Sequence, residues 1–283
     1  MSPVNLRRGL WWLALSMPMM ASGAIPDEYA AVVNRATEIG ARIHLHDWAA
    51  AGATDVLVER HILESDGRLR GWLTDEFESG GEIGVLVTFV GEVDGHSFGL
   101  YQVRMSPRGE PAFEKFDAGT PLDELQLARL HARNEAKRLL LERQDLCGES
   151  YNTVVLPPVP ATGDHILVYM LAATSRPGVM IAGGHHLYEF SADGTQLLAD
   201  RAFTRTCFEV PLAGDESRGK VEAITLTHLL DPAPTEIHVF LNRSYGQTIF
   251  LGTTSNQMLW VLKDGEIISG ESFDAKPTKR KKR

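Results

Sequence analysis

The sequence has few cysteines and no apolar run of membrane-spanning length. Cys147 and Cys207 are the only cysteines among the 283 residues. Their isolation leaves a Cys-rich zinc site and a Cys-x-x-Cys redox centre without support, because both need further thiols at short spacing. The apolar stretch at residues 10–20 is shorter than the roughly 20 residues that cross a bilayer as a helix, and no other stretch is longer. We therefore expect no transmembrane segment in the mature chain.

The familiar catalytic signatures are also missing. The sequence contains no His-Glu-x-x-His pattern, no Gly-x-Ser-x-Gly elbow and no Walker loop. These absences give no basis for naming a zinc protease, an α/β-hydrolase or a P-loop nucleotidase. The sequence predicts no cofactor, and it leaves open whether the protein is an enzyme.

Acidic residues are absent from both ends of the chain. Residues 1–24 hold two arginines and no acid, and residues 276–283 hold six basic residues and no acid. Because the whole chain has a formal charge of −9, the body at residues 25–275 carries −17. Nucleic acids and anionic lipids bind positive surface, so we expect neither as a partner of the folded body. Ordinary glycine, proline and hydrophobic contents indicate a folded protein of one large or two small domains.

The N terminus has the pattern of an export signal. Arg7 and Arg8 precede the apolar stretch, and small residues follow at 21–24. We predict a signal peptide at residues 1–24 and a periplasmic or secreted location in a Gram-negative bacterium; an uncleaved anchor and a buried helix are the competing interpretations. In an oxidising compartment an isolated pair of cysteines usually joins, which predicts a Cys147–Cys207 disulfide.

The first half of the chain predicts helix, antiparallel meander, helix. Residues 27–50 have apolar side chains at intervals of three and four, as in an amphipathic helix. Asp-Gly pairs at 66–67 and 94–95 predict hairpins between strands at 61–65, 68–74, 84–91 and 97–105. A second helix, capped by Thr120, is predicted to run to about residue 145. We assign residues 25–147 to an α+β N-terminal unit.

The second half predicts strands alone. Short apolar stretches alternate with turn residues, so residues 148–275 are predicted as an all-β, antiparallel unit. The chain is therefore of the α+β class, and whether its halves are separate domains stays open. Residues 276–283 are predicted as a basic disordered tail that solubilises the chain or touches anionic surfaces. The predicted strands cover 153–156, 165–171, 186–191, 196–203, 207–210, 221–229, 236–242, 248–252 and 258–263.

Several short segments resemble exported proteobacterial proteins of uncharacterised function. The segments are HDWAA at 46–50, ATD at 53–55, GW at 71–72, YNTVVLP at 151–157, GGHHLYE at 183–189 and FTRTC at 203–207. The resemblance spans most of the mature chain. It implies export and a Gram-negative source, and it implies no activity or catalytic residue.

One histidine-rich strand is the candidate for catalytic or metal chemistry. His185 and Glu189 share one face of the predicted strand, whereas His186 falls on the other face, so neighbouring histidines cannot both bind one ion. A zinc site would need a further ligand, and His165 or His238 on a neighbouring strand would supply it. The competing interpretation is an ordinary strand entered through a Gly-Gly turn.

A second histidine cluster lies at residues 44–47. His44 and His46 would be about 200° apart on a continued helix and cannot chelate one ion together. We interpret His46 as a helix-packing or capping histidine rather than a ligand.

These observations favour a binding protein. The leading hypothesis is a periplasmic protein-binding or inhibitor-type module, of the kind seen in immunity proteins, whose acidic surface meets an envelope protein or another basic partner. The alternative is a periplasmic hydrolase that uses His185 and Glu189, either in a metal site or in metal-independent acid–base chemistry. A third hypothesis is a structural accessory of an envelope assembly. The oligomeric state stays open.

Overall fold

The computed structural model describes residues 24–144, 146–158, 163–212 and 221–273. The predicted signal peptide, except for Ala24, and the predicted basic tail lie outside these residues. Within them the α+β class is confirmed. No described helix combines the length and the apolar character that crossing a membrane requires.

The N-terminal half contains three helices and a four-stranded sheet. The antiparallel sheet has the order β1-β2-β3-β4, which confirms an antiparallel meander. Its fourth strand was not predicted, and the predicted hairpin at residues 66–67 does not form because a helix precedes it. The elements are α1 (Ala30–Glu59), α2 (Ile62–Ser65), β1 (Leu69–Ser79), β2 (Glu82–Val93), β3 (His96–Met105), β4 (Ala112–Pro121) and α3 (Glu124–Leu141).

Three local predictions in this half were wrong. Residues 61–65, predicted as a strand, include the short helix α2, which Asp66 closes by donating its N–H to the oxygen of Ile62. The first helix continues past residue 50 because Ala53 and Leu57 extend its buried stripe. The cap of α3 is Asp123, not Thr120: its carboxylate accepts from the backbone of Gln126 in a capping box.

The C-terminal half contains two four-stranded sheets and a two-stranded ribbon. One sheet has the order β5-β6-β8-β9, the other has the order β11-β12-β13-β14, and β7 pairs with β10. The elements are β5 (Ser150–Leu156), β6 (Ile166–Ala173), β7 (Val179–Ile181), β8 (His186–Phe190), β9 (Leu197–Ala202), β10 (Glu209–Pro211), β11 (Ala223–His228), α4 (Glu236–Tyr245), β12 (Thr248–Thr253), β13 (Met258–Lys263) and β14 (Glu266–Ser272).

The prediction of an all-β second half was wrong at one element. Residues 236–242, predicted as a strand, belong to helix α4, which follows Thr235 as its cap. Strands β11 and β12 are parallel, and parallel neighbours need a crossover connection, which a helix usually provides. The apolar residues at 237 and 239–241 fit a helical stripe as well as a buried strand, so periodicity alone did not separate the two.

Helices α1 and α3 lie on opposite faces of the junction between the first sheet and the β5-β6-β8-β9 sheet. Leu73 of β1 packs in a cluster with Leu130 of α3. The next residue, Thr74, instead contacts His46 of α1 at 2.7 Å. Because neighbouring residues of a strand point to opposite faces, the two helices cover β1 from both sides.

A buried arginine joins the two sheets at this junction. Strands β1 and β5 are both edge strands of their sheets. Arg129 of α3 is 0% exposed, and its Nη2 donates to the backbone oxygens of Thr74 in β1 and of Val155 in β5. Its Nη1 donates to the carboxylate of Asp75. Arg129 therefore joins two strand edges that belong to different sheets.

The predicted disulfide is confirmed. Cys147, just after α3, pairs with Cys207, and their Cα atoms are 5.0 Å apart. The pair fixes the loop between β9 and β10 to the segment that leads into β5. The two cysteines are 60 residues apart in the sequence, so the disulfide closes a long loop that begins just after α3.

We predict that Arg129→Met destabilises the fold. The change leaves two backbone oxygens and the Asp75 carboxylate without their buried donor, which corresponds to a loss of about 2–4 kcal/mol in the free energy of unfolding. Urea denaturation measures this loss. Arg138→Met, on the exposed side of the same helix, is the matched control and should change stability little. Equal losses in the two variants would contradict the role of Arg129.

A second stability prediction concerns the disulfide. Replacing both Cys147 and Cys207 with serine should lower the free energy of unfolding by about 2–4 kcal/mol, because the unfolded chain loses its loop constraint. Thermal or urea denaturation measures the change, and the reduced wild-type protein should match the double variant. An unchanged unfolding midpoint would contradict the prediction.

Candidate functional site

A groove opens beyond Arg129, where β1 and β5 separate. Four consecutive residues of β1, from Leu69 to Trp72, line one wall, and residues 148–151 together with Thr153 line the other. Both walls belong to edge strands or to the residues that lead into them, and the pairing of β1 with β2 is irregular between Leu69 and Gly71, as in a bulge. The groove therefore lies along the two strand edges. The groove has a volume of about 520 Å³. We name it the Arg133 groove after the arginine that lines it.

Arg133 is a buried cation in this groove. It follows Arg129 by one helical turn, and the residue is only 6% exposed. Its Nη1 donates to the Asn134 side chain at 3.1 Å, but among the described residues its Nε has no acceptor and the guanidinium forms no ion pair. Burial lowers the pKa of the guanidinium. Arg133 is therefore a charged group that lacks a counter-ion in the described part of the protein.

Gly71 makes room for this guanidinium. A Cβ at position 71 would lie 2.3 Å from Nη2 of Arg133, closer than any real contact. On the other side, the centroid of the Trp72 ring is 5.8 Å from Cζ of Arg133. The missing side chain at Gly71 thus lets the cation lie against the edge of β1 itself.

The charges around the groove are mainly positive. Arg70 and Lys137 also line it. Glu149 is the acid among the lining residues, and its carboxylate accepts hydrogen bonds from Ser175 and Thr174 at 2.8–3.2 Å. These bonds, led by the one from the Ser175 hydroxyl, lower the Glu149 pKa to about 2. The groove is therefore cationic although the body of the chain is acidic.

The rest of the lining is largely apolar and is exposed at the rim. Leu63, Leu141 and Leu146 line the groove while remaining 41%, 65% and 41% exposed. Exposed apolar residues that surround a concave site are typical of a surface that binds another molecule. The remaining apolar lining residues are Leu69, Trp72, Phe89, Leu140, Tyr151 and Met170.

The structure brings together only one pair of the predicted catalytic or metal residues. His165 Nδ1 contacts the Glu189 carboxylate at the partly exposed surface. His185 does not join them. It precedes Glu189 by four residues of extended chain, about 13 Å, and its ring is buried elsewhere. No group of three His, Cys, Asp or Glu residues suited to a metal ion occurs in the described ranges.

Both ring nitrogens of His185 are engaged by the backbone. The N–H of Ala172 donates to Nδ1 at 3.1 Å, so Nε2 carries the proton and donates to the oxygen of Ile181 at 2.9 Å. Burial lowers the pKa of His185 to about 4. His185 therefore holds a neutral, structural position.

His238 lies on α4, the helix whose Phe240 contacts the His185 ring, and it lines a smaller cavity of about 270 Å³. Its Nδ1 accepts from the backbone N–H of Thr235, and its ring centroid is 4.7 Å from that of His228. His228 in turn contacts Asp231 at 2.7 Å. Burial lowers the pKa of His238 to about 3. His238 thus caps α4 and does not meet His185 or Glu189 as a ligand.

The second histidine cluster has a structural role. His46 is fully buried; its Nε2 donates to the Glu76 carboxylate at 2.9 Å, and its Nδ1 accepts from the Thr74 hydroxyl. Burial lowers the His46 pKa, and the hydrogen bond from His46 lowers that of Glu76 to about 2. His44 instead contacts Ser244 of α4 at 3.0 Å. His46 therefore ties α1 to β1.

Sequence reasoning missed the two arginines that define the junction and the groove. A signal was present: Arg129 and Arg133 are four residues apart on the face of α3 that carries the buried Ala132, Ala136 and Leu140. Charged residues are rarely buried, so arginines within an apolar stripe indicate a special environment. Their partners come from distant strands, which the sequence pattern does not place.

Comparisons with known proteins give no match: no family model, curated protein or solved structure matches this chain.

We predict that the protein loses stability as the pH falls below about 6.5. Burial lowers the pKa of His46, His185 and His238 in the folded state, so all three bind protons more readily when the chain is unfolded. The unfolded state therefore takes up more protons, and each histidine lowers the free energy of unfolding by about 1.4 kcal/mol per pH unit below 6.5, until its folded pKa is reached. Urea denaturation at pH 7.5 and 5.5 measures the slope.

The variant His238→Gln isolates one contribution to this slope. This variant should reduce the slope of the free energy of unfolding against pH by the contribution of one histidine. His131→Gln, at an exposed position of α3, is the control and should leave the slope unchanged. A stability that stays constant from pH 7.5 to 5.5 would contradict the prediction.

Proposed function

We propose that this chain is an exported binding module of the inhibitor type, and that the Arg133 groove receives an extended segment of a protein partner. The observation that carries the proposal is Arg133 itself, a buried cation without a counter-ion among the described residues. It lies beside β1 and β5, which are the outermost strands of their described sheets. Retaining such a group costs stability, which a protein recovers when an anionic partner fills the site.

The groove suits a peptide because its walls are strand edges. Edge strands present backbone N–H and C=O groups that another extended chain can pair with. Adding a strand to an exposed edge is a common way of recognising peptides, with main-chain bonds giving affinity and side-chain pockets giving specificity. The exposed leucines of the rim provide the apolar part of such a contact.

The charge distribution favours a partner that carries both basic and acidic groups. The groove is cationic, whereas the body at residues 25–275 carries −17. A basic partner that inserts a segment with an anionic group would complement both surfaces. An immunity-type inhibitor of a basic envelope-directed protein is one form of this proposal.

The contacts of His185 favour binding over the hydrolase hypothesis. Both of its ring nitrogens are engaged with backbone groups, so it has no free nitrogen with which to hold a metal or move a proton. Glu189 contacts His165 instead.

Export is part of the proposal. The confirmed Cys147–Cys207 pair is compatible with an oxidising compartment, as the predicted signal peptide requires. A periplasmic or secreted location, and the resemblance to exported proteobacterial proteins, stay predictions.

Site-specific photocrosslinking tests the binding site. A benzoylphenylalanine at Leu141, on the groove rim, should give an adduct of higher mass in cells that make the protein. The same probe at Leu198, an exposed leucine of β9, is the control and should give none. The adduct at position 141 should disappear when Arg133→Gln is added. No adduct at 141, or equal adducts at both positions, would overturn the proposal.

A further inference from the structure

We propose that the segment held in the Arg133 groove is the C-terminal end of the partner chain, with its α-carboxylate on Arg133 and its last three or four residues between β1 and β5. This inference rests on the proposed function and specifies the ligand of the same site. It follows from the shape of the groove, from the position of its charge and from its lining.

The groove is closed at one end. Arg129 joins the Thr74 and Val155 oxygens, so the gap between β1 and β5 is filled at that point. The lining begins just before it, at Trp72 and Thr153, and extends back to Leu69 and residue 148. A chain that enters between the two edges cannot pass Arg129. A closed groove of this kind accepts a chain end rather than the middle of a polypeptide.

The charge at the closed end selects which terminus enters. Arg133 lies one helical turn from Arg129, next to the last open residues of β1, Gly71 and Trp72. A carboxylate there would accept hydrogen bonds from the guanidinium, which are among the stronger ones in proteins. An α-ammonium would meet a cation at the same point. The geometry therefore favours the C terminus.

The length of the open edge sets the length of the bound segment. Leu69 to Trp72 spans about 10 Å, since a strand rises about 3.3 Å per residue. Three to four residues of extended chain occupy this distance. Lys137 and Arg70 line the groove farther from the closed end, along α3 and β1. Arg133 is the buried cation nearest the closed end, so we assign the terminal carboxylate to Arg133.

The lining also indicates the side chains of that segment. Leu140, Met170 and Tyr151 line the groove together with the exposed leucines of the rim. Alternate side chains of an inserted strand would point to the two faces, so at least one of the last three residues should be apolar. A fatty acid would use the cation and the apolar lining, but it would leave the two strand edges without hydrogen-bond partners; peptides fit all three features.

Matched peptides test the inference. The probes are N-acetylated hexapeptides that begin Ser-Thr-Ser and end in three mixed positions of Val, Leu and Phe, made either as free acids or as C-terminal amides. Isothermal titration calorimetry with the full, disulfide-bonded protein measures the apparent dissociation constants. The free acids should bind about 10- to 100-fold more tightly than the amides, as expected for a hydrogen-bonded charge pair.

Two variants locate the effect. Arg133→Gln should bind the free acids no better than the amides, and Arg138→Gln, on the exposed side of α3, should behave like the wild type. Circular dichroism checks that each variant is folded. The comparison of acid with amide in the wild type does not depend on any variant, so the test stands even if Arg133→Gln fails to fold.

The remaining outcomes overturn the inference. Equal affinities for acids and amides would exclude a carboxylate site, while the adduct at Leu141 would still support a groove for a protein segment. If laurate binds more tightly than the free-acid peptides, the ligand of the groove is an acyl chain and not a peptide terminus. Loss of the Leu141 adduct itself would overturn the proposed function instead.

Discussion

The architecture depends on one buried guanidinium at the junction of two sheets. Arg129 donates to backbone oxygens of β1 and β5 and to Asp75, and so replaces the ladder of hydrogen bonds that the two edge strands do not form with each other. The planar, multivalent donor set of arginine suits this task, because one side chain satisfies acceptors on two strands at once. Helices α1 and α3 then cover the junction from opposite faces.

The groove is a consequence of this arrangement. Arg129 joins the strands at Thr74 and Val155, and beyond that point residues of β1 and β5 line the groove in which the next turn of α3 places Arg133. Two arginines of the same helix face thus have opposite roles. Arg129 has all its main acceptors within the protein, whereas Arg133 faces a cavity in which acceptors are scarce. The Nε atoms of both arginines lack an acceptor among the described residues, so the difference lies in the Asp75 carboxylate and the two backbone oxygens that Arg129 binds. A buried cation without a counter-ion is a candidate for ligand binding.

The sequence predicted much of the fold and little of the site. The β2–β3 hairpin was predictable, because Asp94-Gly95 and the alternating residues beside it are local signals. Asp66-Gly67 instead follows helix α2, and strand β4 was not predicted. The end of α1, the short α2 and helix α4 were not predictable either, since periodicity of short apolar runs does not separate helix from strand. Of the residues singled out, His165 meets Glu189 at the surface, whereas His185 and His238 are buried and bind backbone groups. Strand order and loop paths decide which of these distant residues meet. The arginines of α3 were visible in the sequence, but the acceptors of Arg129 on β1 and β5 and the groove beside Arg133 were not.

The sequence by itself determined the α+β class, the acidic character of the body and the pairing of Cys147 with Cys207. These properties follow from composition, from local periodicity and from the presence of only two thiols. Tertiary structure alone decided that β1 and β5 meet as edges, that Arg129 joins them and that Arg133 is buried beside Gly71. Those features depend on contacts between residues far apart in the chain, and long-range packing rather than local preference fixes which backbone groups and charges find a partner.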